Sequence, residues 1–247
     1  MFDVTKIIQR IIYCYNSIVL NYKSWFLILL ALFLIDKNIV NSFVSFFIML
    51  VFAHIAHYCY HNDSFYPLNV AHLYHHNHNN MFSHTIQILL EFVSLLFIVF
   101  FKYLTLFQYN VNILPFISDW TIVMFYFFYT TIHNINYSIF HVNRIHEMHH
   151  QTYVYNIGPD IADIIFGTKL NPDTDLENTD HYIYNIIGST ILVLFFKFIF
   201  NKLSVLNYMF FIIYLIGLLI LTYYSIELFI QDIDNYMKQD LTNFMGI

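Results

Sequence analysis

The sequence predicts an all-α, polytopic membrane protein with four to six transmembrane helices and a cytosolic helical cap. Two observations support this fold class. Hydrophobic residues make up 59% of the 247-residue chain and charged residues only 11%, whereas soluble domains have about 45–50% apolar and about 25% charged residues. The apolar residues also form runs that reach the length of about 20 residues that a transmembrane helix requires.

Six segments are apolar enough to be transmembrane spans. They are residues 17–35, 39–57, 86–106, 113–132, 183–200 and 204–230. We expect the whole chain, 1–247, to form one membrane domain, with four main spans in two antiparallel hairpins and an additional hairpin at 183–230. An interfacial helix is the alternative for the first span, because Tyr22 and Lys23 interrupt its apolar run.

The composition excludes several classes of function. The two cysteines, Cys14 and Cys59, are too few to indicate a disulfide framework or a thiolate metal site. The five glycines form neither the G-x-G-x-x-G pattern nor a P-loop, the glycine-rich loops that bind nucleotides. The net charge of −6, with ten basic residues scattered singly, gives no basic surface for nucleic acid.

Thirteen of the fourteen histidines fall in two windows, 54–84 and 133–150. Ionisable residues are costly within a membrane and usually mark function there. The first window follows the second span and the other follows the fourth span, so both windows emerge on the side of the N-terminus and can form one site. Six of the ten basic residues are on that side, which indicates the cytosolic face.

Eight of these histidines have helical spacing. They form one H-x-x-x-H box, His57 and His61, and two H-x-x-H-H boxes, His72, His75 and His76, and His146, His149 and His150. Residues three and four apart share a helix face, so each box directs two or three imidazoles toward one place. Neutral imidazole suits iron, zinc and copper. Eight ligands exceed the four that one structural zinc uses, which favours two metal ions.

The isolated His78, His84 and His181 are interpreted as hydrogen-bonded or interfacial groups.

The order of the three boxes resembles that of the fatty acid hydroxylase and sterol desaturase superfamily of membrane di-iron oxygenases. Proteins of that family typically follow the last box with N-Y-G and then D-x-x-F-G-T, and residues 156–158 (NIG) and 163–168 (DIIFGT) stand in those places. The resemblance covers roughly residues 45–170, the predicted catalytic core. Two positions depart from the pattern: Tyr58 replaces the usual arginine after the first box histidine, and His54 replaces the usual tyrosine three positions before it.

The resemblance implies further ligands between the fourth span and the last box, where His133 and His141 are the candidates. On a continuous helix these two would share a face but stand about 12 Å apart, too far for one ion. Three alternatives follow: they bind different ions, the Asn-rich segment breaks the helix, or only one of them is a ligand. The expected ligand set is therefore the eight box histidines together with His133 and His141.

The resemblance also implies the chemistry. We expect two iron ions, with zinc possible in purified protein, that use O2 and two electrons to hydroxylate a C–H bond of a fatty acyl, sphingolipid or sterol substrate. Lipid desaturation is the alternative within the family. The chain has neither a nucleotide loop nor the His-Pro-Gly-Gly haem motif, so an external donor such as cytochrome b5 with its reductase is expected. The expected location is the endoplasmic reticulum membrane, with the active site facing the cytosol.

Two other interpretations use the same histidines. His146, Glu147 and His150 fit the H-E-x-x-H pattern of zinc proteases, but that interpretation leaves the histidines at 57–76 without a role. A histidine-rich metal transporter is the other possibility, although transporters place their ligands near the bilayer midplane. In the oxygenase interpretation Glu147 orients an imidazole or is solvated, and Asn156 and Asp163 hold the cap after the last box.

Overall fold

A computed structural model describes residues 4–78, 80–103, 115–200 and 217. Within these ranges the chain is all-helical, as the sequence predicts, and has no strand. The nine α-helices of the described ranges are α1 (Val4–Leu20), α2 (Tyr22–Asp36), α3 (Ile39–Tyr60), α4 (Leu68–Asn77), α5 (Met81–Tyr103), α6 (Asp119–Thr131), α7 (Arg144–Thr152), α8 (Asp160–Phe166) and α9 (Ile183–Ile199). The described residues belong to one compact unit, Met1–Lys202, apart from Gly217, which lies in a second unit, Leu203–Ile247. The predicted span at 204–230 lies outside the described residues apart from Gly217.

Three helical segments of the described chain are long and apolar enough to cross a membrane. They are Ile39–Tyr60, Met81–Phe100 and Thr179–Ile199. Helices α1 and α2 meet at a bend of 77° and add a fourth span if the pair is one broken crossing. The described part of the chain therefore has three or four candidate spans, which is consistent with a membrane protein.

The predicted span at 113–132 corresponds to α6, which is not among the segments that are both long and apolar enough to cross a membrane by themselves. Its 13 residues extend about 20 Å, whereas the hydrocarbon core is about 30 Å thick. This helix is buried along almost its whole length, and it packs against α2, α5 and α9. A helix that is apolar all round is typical of a core position, so α6 is the centre of the bundle.

Large apolar side chains on the outer helices point away from this core. Phe43 and Phe47 of α3 and Ile191, Phe195 and Phe198 of α9 are all exposed. An apolar surface of this extent is unusual on a soluble monomer. Its position on the helices that qualify as spans agrees with contact to lipid.

Polar contacts join the helices at the end of the bundle away from the histidines. Asp36, the last residue of α2, accepts hydrogen bonds from Ser118 and Thr121 at the start of α6. Near the end of α9, Lys197 donates to the carbonyl of Ile35. The α2 and α9 helices therefore end where α6 begins. Both α3 and α6 run toward the opposite end, and this shared direction brings together the histidine windows that follow them.

Candidate metal centre

The two histidine windows meet at one end of the bundle, where the described residues form two groups of potential metal ligands. The first group is His57, His61, His72, His76 and His149, and the second group is His75, His133 and His150. Within each group the ligand atoms all lie within 4.8 Å of one another. The groups are neighbours, since the ring centroids of His76 and His150 are 4.2 Å apart.

The ring nitrogens of the first group are spaced like the ligands of one ion. The Nε2 atom of His72 lies 2.9 Å from that of His57 and 3.0 Å from that of His76. The Nε2 atom of His61 lies 3.2 Å from those of His72 and His149, and His149 Nε2 is 3.1 Å from His57 Nε2. Two nitrogens bound at a right angle about 2.1 Å from one ion would be about 3.0 Å apart.

Hydrogen bonds on the far side of the rings fix the tautomers of two ligands in the first group. His72 Nδ1 lies 3.2 Å from the side-chain oxygen of Gln87, and His149 Nδ1 lies 2.8 Å from the backbone carbonyl of Tyr155. Both oxygens only accept, so Nδ1 carries the proton and Nε2 presents a lone pair. Buried lone pairs that face one another cannot form hydrogen bonds among themselves, but they can bind a cation jointly. The group therefore fits a metal ion.

The second group is oriented in the same way. His133 Nδ1 lies 2.9 Å from Glu91 Oε1, and His75 Nδ1 lies 3.2 Å from Ser83 Oγ, which itself donates to the His75 carbonyl. Because the Nδ1 atoms are the donors, the Nε2 atoms of His75 and His133 are buried acceptors, and they have no hydrogen-bond partner among the described residues. Such atoms are costly unless a ligand satisfies them.

Each H-x-x-H-H box is divided between the two groups. In the box at 72–76 the first and last histidines belong to the first group, whereas His75 belongs to the second. In the box at 146–150 the first and last histidines have Nε2 atoms 3.1 Å apart and face the second group, whereas His149 belongs to the first. Successive helical residues differ in direction by about 100°, so the last two histidines of a box point to different groups.

A break in the helix separates His133 from His141. Helix α6 continues as a π-helix at Ile132–Tyr137, which places His133 in the second group, and the chain then turns. His141 has a left-handed backbone (φ 49°) and belongs to neither group. Its Nδ1 atom lies 3.6 Å from Glu147 Oε1, and both side chains are about half exposed. Glu147 thus faces His141, outside both groups.

The segment after the last box holds the backbone carbonyl that orients His149. Asp163 accepts hydrogen bonds from the backbone N–H of Gly158 (3.1 Å) and from the Thr168 hydroxyl (2.7 Å). The N–H of Asn156, which has a left-handed backbone (φ 54°), donates to the carbonyl of Thr168 at 2.8 Å. These contacts hold the chain just after Tyr155, whose carbonyl fixes the His149 tautomer. The structure thus places Asn156 and Asp163 in the segment that follows the C-terminal end of α7, the helix that carries His149.

His54, one of the two departures from the family pattern, packs into this segment. Its ring stacks on Phe166 with centroids 4.7 Å apart, and its Nδ1 atom lies 3.2 Å from Asp163 Oδ1. A Cβ atom at Gly158 would come within 3.0 Å of the same nitrogen. The motif residues Gly158, Asp163 and Phe166 therefore enclose His54, which is not a member of either ligand group.

Burial keeps the ligand imidazoles neutral. Desolvation lowers the pKa of His61 and of His150 to about 4, and that of His149 to about 3. Neighbouring imidazoles lower the pKa of His149 and His150 further, because they disfavour a second positive charge. Neutral rings at pH 7 are the form that binds a metal ion.

A cavity of about 210 Å³ extends from the histidines into the bundle. Apolar side chains such as Met49, Leu95 and Phe125 form most of its wall, and His57 and His133 line it as well. The cavity therefore connects both ligand groups with the apolar interior between the long helices.

Two residues that orient ligands were not identified from the sequence. Gln87 contacts His72 through its side-chain oxygen. Its amide N–H donates to the Glu91 carboxylate at 3.2 Å, and the same nitrogen lies 3.0 Å from His133 Nδ1. Gln87 and Glu91 are polar residues four positions apart in a predicted span that is mostly apolar. Intramembrane polar residues usually mark function, and this signal could have found both.

Comparison with known proteins assigns neither a family nor a function. No family model, no curated protein and no solved structure matches the chain.

Proposed function

We propose that this protein is a membrane-bound di-iron oxygenase that uses O2 and two electrons to hydroxylate a C–H bond of a lipid. The observation that carries the proposal is the position of two neighbouring imidazole groups at the end of an apolar cavity. Imidazole lone pairs suit iron, and apolar walls with few polar groups suit a lipid chain. The order of the histidine boxes, which resembles that of the fatty acid hydroxylase and sterol desaturase superfamily, supports the same reaction.

In this proposal the first histidine group holds one iron ion, and the second group together with His146 holds the other. Bound iron would supply the activation of O2 and the removal of hydrogen from the substrate carbon. The chain keeps the imidazoles neutral by burying them. It directs their Nε2 atoms toward the metal positions through hydrogen bonds to Gln87, Glu91, Ser83 and the carbonyl of Tyr155. Residues that orient metal-bound histidines typically affect metal affinity by about 10–100-fold.

In this proposal an external donor, such as cytochrome b5 with its reductase, supplies the electrons, because the sequence shows neither the nucleotide-binding glycine loops nor the His-Pro-Gly-Gly haem motif named above. The proposed location is the endoplasmic reticulum membrane with the histidine end facing the cytosol, where such a donor could dock. The substrate is drawn from the lipids of that membrane, and its apolar part occupies the cavity.

Lipid desaturation is the second candidate, because it begins with removal of the same kind of hydrogen and uses the same ligands. A zinc protease is disfavoured by Glu147. A general base must face the metal-bound water, whereas this carboxylate is half exposed and lies beside His141. A metal transporter is disfavoured by the position of the histidines at helix ends, away from the middle of the candidate spans.

Expression of the chain with its electron donor under 18O2, followed by lipid mass spectrometry, tests the proposal. We expect a lipid that gains one 18O atom, and we expect that product to be lost in His149→Ala. The control is His78→Ala, which changes an exposed histidine that stacks on Tyr74 and belongs to neither group. A product two hydrogens lighter without 18O would establish desaturation instead, and an unchanged lipidome would contradict both reactions.

A further inference from the structure

A buried carboxylate lies in the wall of the cavity and is not used by either histidine group. Glu177 is only 6% exposed and lines the cavity that the histidines also line. Buried carboxylates are rare in proteins unless they are paired or bind a ligand. The contacts of Glu177 therefore indicate whether it has a structural or a binding role.

One carboxylate oxygen of Glu177 is fully occupied and the other is not. Oε1 accepts hydrogen bonds from Asn143 Nδ2 (2.6 Å), the Tyr137 hydroxyl (2.7 Å) and the Tyr182 hydroxyl (2.8 Å). No hydrogen bond from a described residue reaches Oε2, and this oxygen is not among the fully buried polar atoms that lack a partner. A purely structural carboxylate would be expected to use both oxygens, because a carboxylate has about four acceptor positions.

The backbone of Glu177 is also held on both sides. Its N–H donates to Asp160 Oδ2 at 2.7 Å, and its carbonyl accepts from Asn21 Nδ2 at 2.8 Å. The carboxylate thus has a fixed position, so Oε2 is preorganised for a ligand and no reordering of the chain is needed.

The nearby lysine balances the charge of this carboxylate only in part. Lys169 lowers the pKa of Glu177, but its direct ion pair is with Asp160, with 2.5 Å between Nζ and Oδ1. The imidazole beside Glu177 is that of His181, 3.7 Å from Oε1. Burial and the charge of Asp160 raise the pKa of Glu177. A hydrogen-bond donor on a ligand would offset the desolvation cost of the buried Glu177 carboxylate and would occupy the open acceptor position on Oε2.

A single tyrosine separates Glu177 from the metal ligands. The Tyr137 ring stacks on the His146 ring with centroids 4.4 Å apart, and the hydroxyl of the same tyrosine reaches Glu177 Oε1. A ligand group bound at Glu177 is therefore close to the second histidine group, at the polar end of an otherwise apolar cavity.

From this arrangement we infer that Glu177 binds a hydrogen-bond-donating group, a hydroxyl or an amine, on the lipid substrate. The inference rests on the proposed function and narrows its substrate class to amphiphiles with a donor near the reactive carbon. The apolar part of the substrate lies along the cavity between the long helices. The carbon that reacts is then a few bonds from the donor group, and it is not at the far end of a chain.

Binding of three matched probes to the full-length protein in nanodiscs tests this inference. Dodecane, 1-dodecanol and dodecylamine share one chain and differ only in the donor. We expect the alcohol and the amine to raise the melting temperature through binding, and dodecane to raise it less. In Glu177→Gln the amine should bind about tenfold more weakly because the charge is lost, whereas the alcohol, which the amide oxygen still accepts, should lose less.

The control is Asp175→Asn, which neutralises a carboxylate two residues away that does not line the cavity. We expect it to bind all three probes as the unmodified chain does. Metal content should be unchanged in both variants, which separates this role from ligand positioning. An equal response to dodecane and 1-dodecanol, or an unchanged amine affinity in Glu177→Gln, would overturn the inference.

The same probes separate the failure of this inference from that of the proposed function. His149→Ala is expected to abolish 18O incorporation while it retains the preference for dodecylamine over dodecane. If probe binding depends on Glu177 but the chain oxygenates no lipid, the oxygenase proposal is refuted and the binding site for a donor group is supported. Oxygenation without any preference among the probes would refute the site alone.

Discussion

At the scale of single residues, Gln87 takes part in the hydrogen bonds that orient histidines in both groups. Its side-chain oxygen accepts a hydrogen bond from His72 Nδ1, and its amide N–H donates a hydrogen bond to the Glu91 carboxylate. The same carboxylate orients His133. One side chain on α5 therefore influences a ligand of each group.

Replacement of Gln87 by leucine should weaken metal binding. His72 loses the acceptor that fixes its tautomer, and such changes typically cost about 10–100-fold in metal affinity. Metal content after dialysis against a graded chelator measures the effect. Gln9→Leu, an equivalent change on the exposed face of α1, is the control. Equal metal retention in the two variants would contradict the role given to Gln87.

A second residue-scale prediction concerns Gly158. An added Cβ would lie 3.0 Å from His54 Nδ1 and 3.2 Å from the His54 Cα atom, so part of the clash is with backbone that cannot move aside. We expect Gly158→Ala to destabilise the protein by about 1–3 kcal/mol, as overpacking generally does. Thermal unfolding in nanodiscs gives the measurement.

Gly188→Ala is the matched control for this change. Gly188 lies within α9, and a Cβ there would meet nothing within 4 Å. Alanine is favoured over glycine inside a helix by about 0.5–1 kcal/mol, so this variant should be neutral or slightly stabilised. The same loss of stability in both variants would show that the contact with His54 is not the cause.

At the scale of elements, the break after α6 decides which intervening histidine joins the site. The π-helix at Ile132–Tyr137 ends α6 and is followed by a turn. His133 stays with the bundle, whereas His141 reaches the exposed surface beside Glu147. A continuous helix would have carried both residues on one face.

His133→Ala and His141→Ala should therefore behave differently. We expect His133→Ala to lower the metal content of the purified protein, because it removes one of the three ligands of the second group. The His141→Ala variant should keep the metal content of the unmodified chain. Elemental analysis of both variants, prepared in parallel, provides the measurement. A loss of metal in His141→Ala equal to that in His133→Ala would mean that the turn folds back onto the site.

At the scale of the whole molecule, the bundle buries a large set of imidazoles, and this couples folding to pH. The pKa of His61 and of His150 is lowered to about 4 by burial, from an ordinary value of about 6.5. Between these values the unfolded chain binds more protons than the folded chain. The stability contributed by the neutral rings is thus complete above about pH 6.5 and is lost as the pH falls toward about 4.

Metal-free protein should accordingly unfold more easily in mild acid. We expect its melting temperature to fall by at least about 4 °C between pH 7 and pH 5, since a loss of about 1 kcal/mol shifts the midpoint by about 2–4 °C at this size. Bound metal should make the fall steeper, because protons compete with it for the same nitrogens. A melting temperature that is constant between pH 7 and pH 5 would contradict the burial of neutral rings.

Much of the fold and of the candidate site could be predicted from local sequence. Apolar runs predict α3, α5 and α9, because the length and hydropathy of a span are local properties. The spacing of the histidine boxes predicts short ligand helices, and the structure has them in α4 and α7. The bend before α2 and the short α6 were not predictable in this way, since they depend on Asn21 bonding to the distant Thr179 and on burial of α6 by its neighbours.

The sequence by itself determined that the chain is helical and membrane-like, and that its histidines fall in boxes at the ends of apolar runs. Only the tertiary structure decided how these ligands are shared. The box at 72–76 gives His75 to one group and its other two histidines to the other group, although all three have helical spacing. The physical reason is that spacing fixes directions within one helix, whereas a coordination site depends on the angles and distances between helices. The carbonyl of Tyr155 and the buried carboxylate of Glu177 acquire their positions in the same way, from contacts that no local pattern encodes.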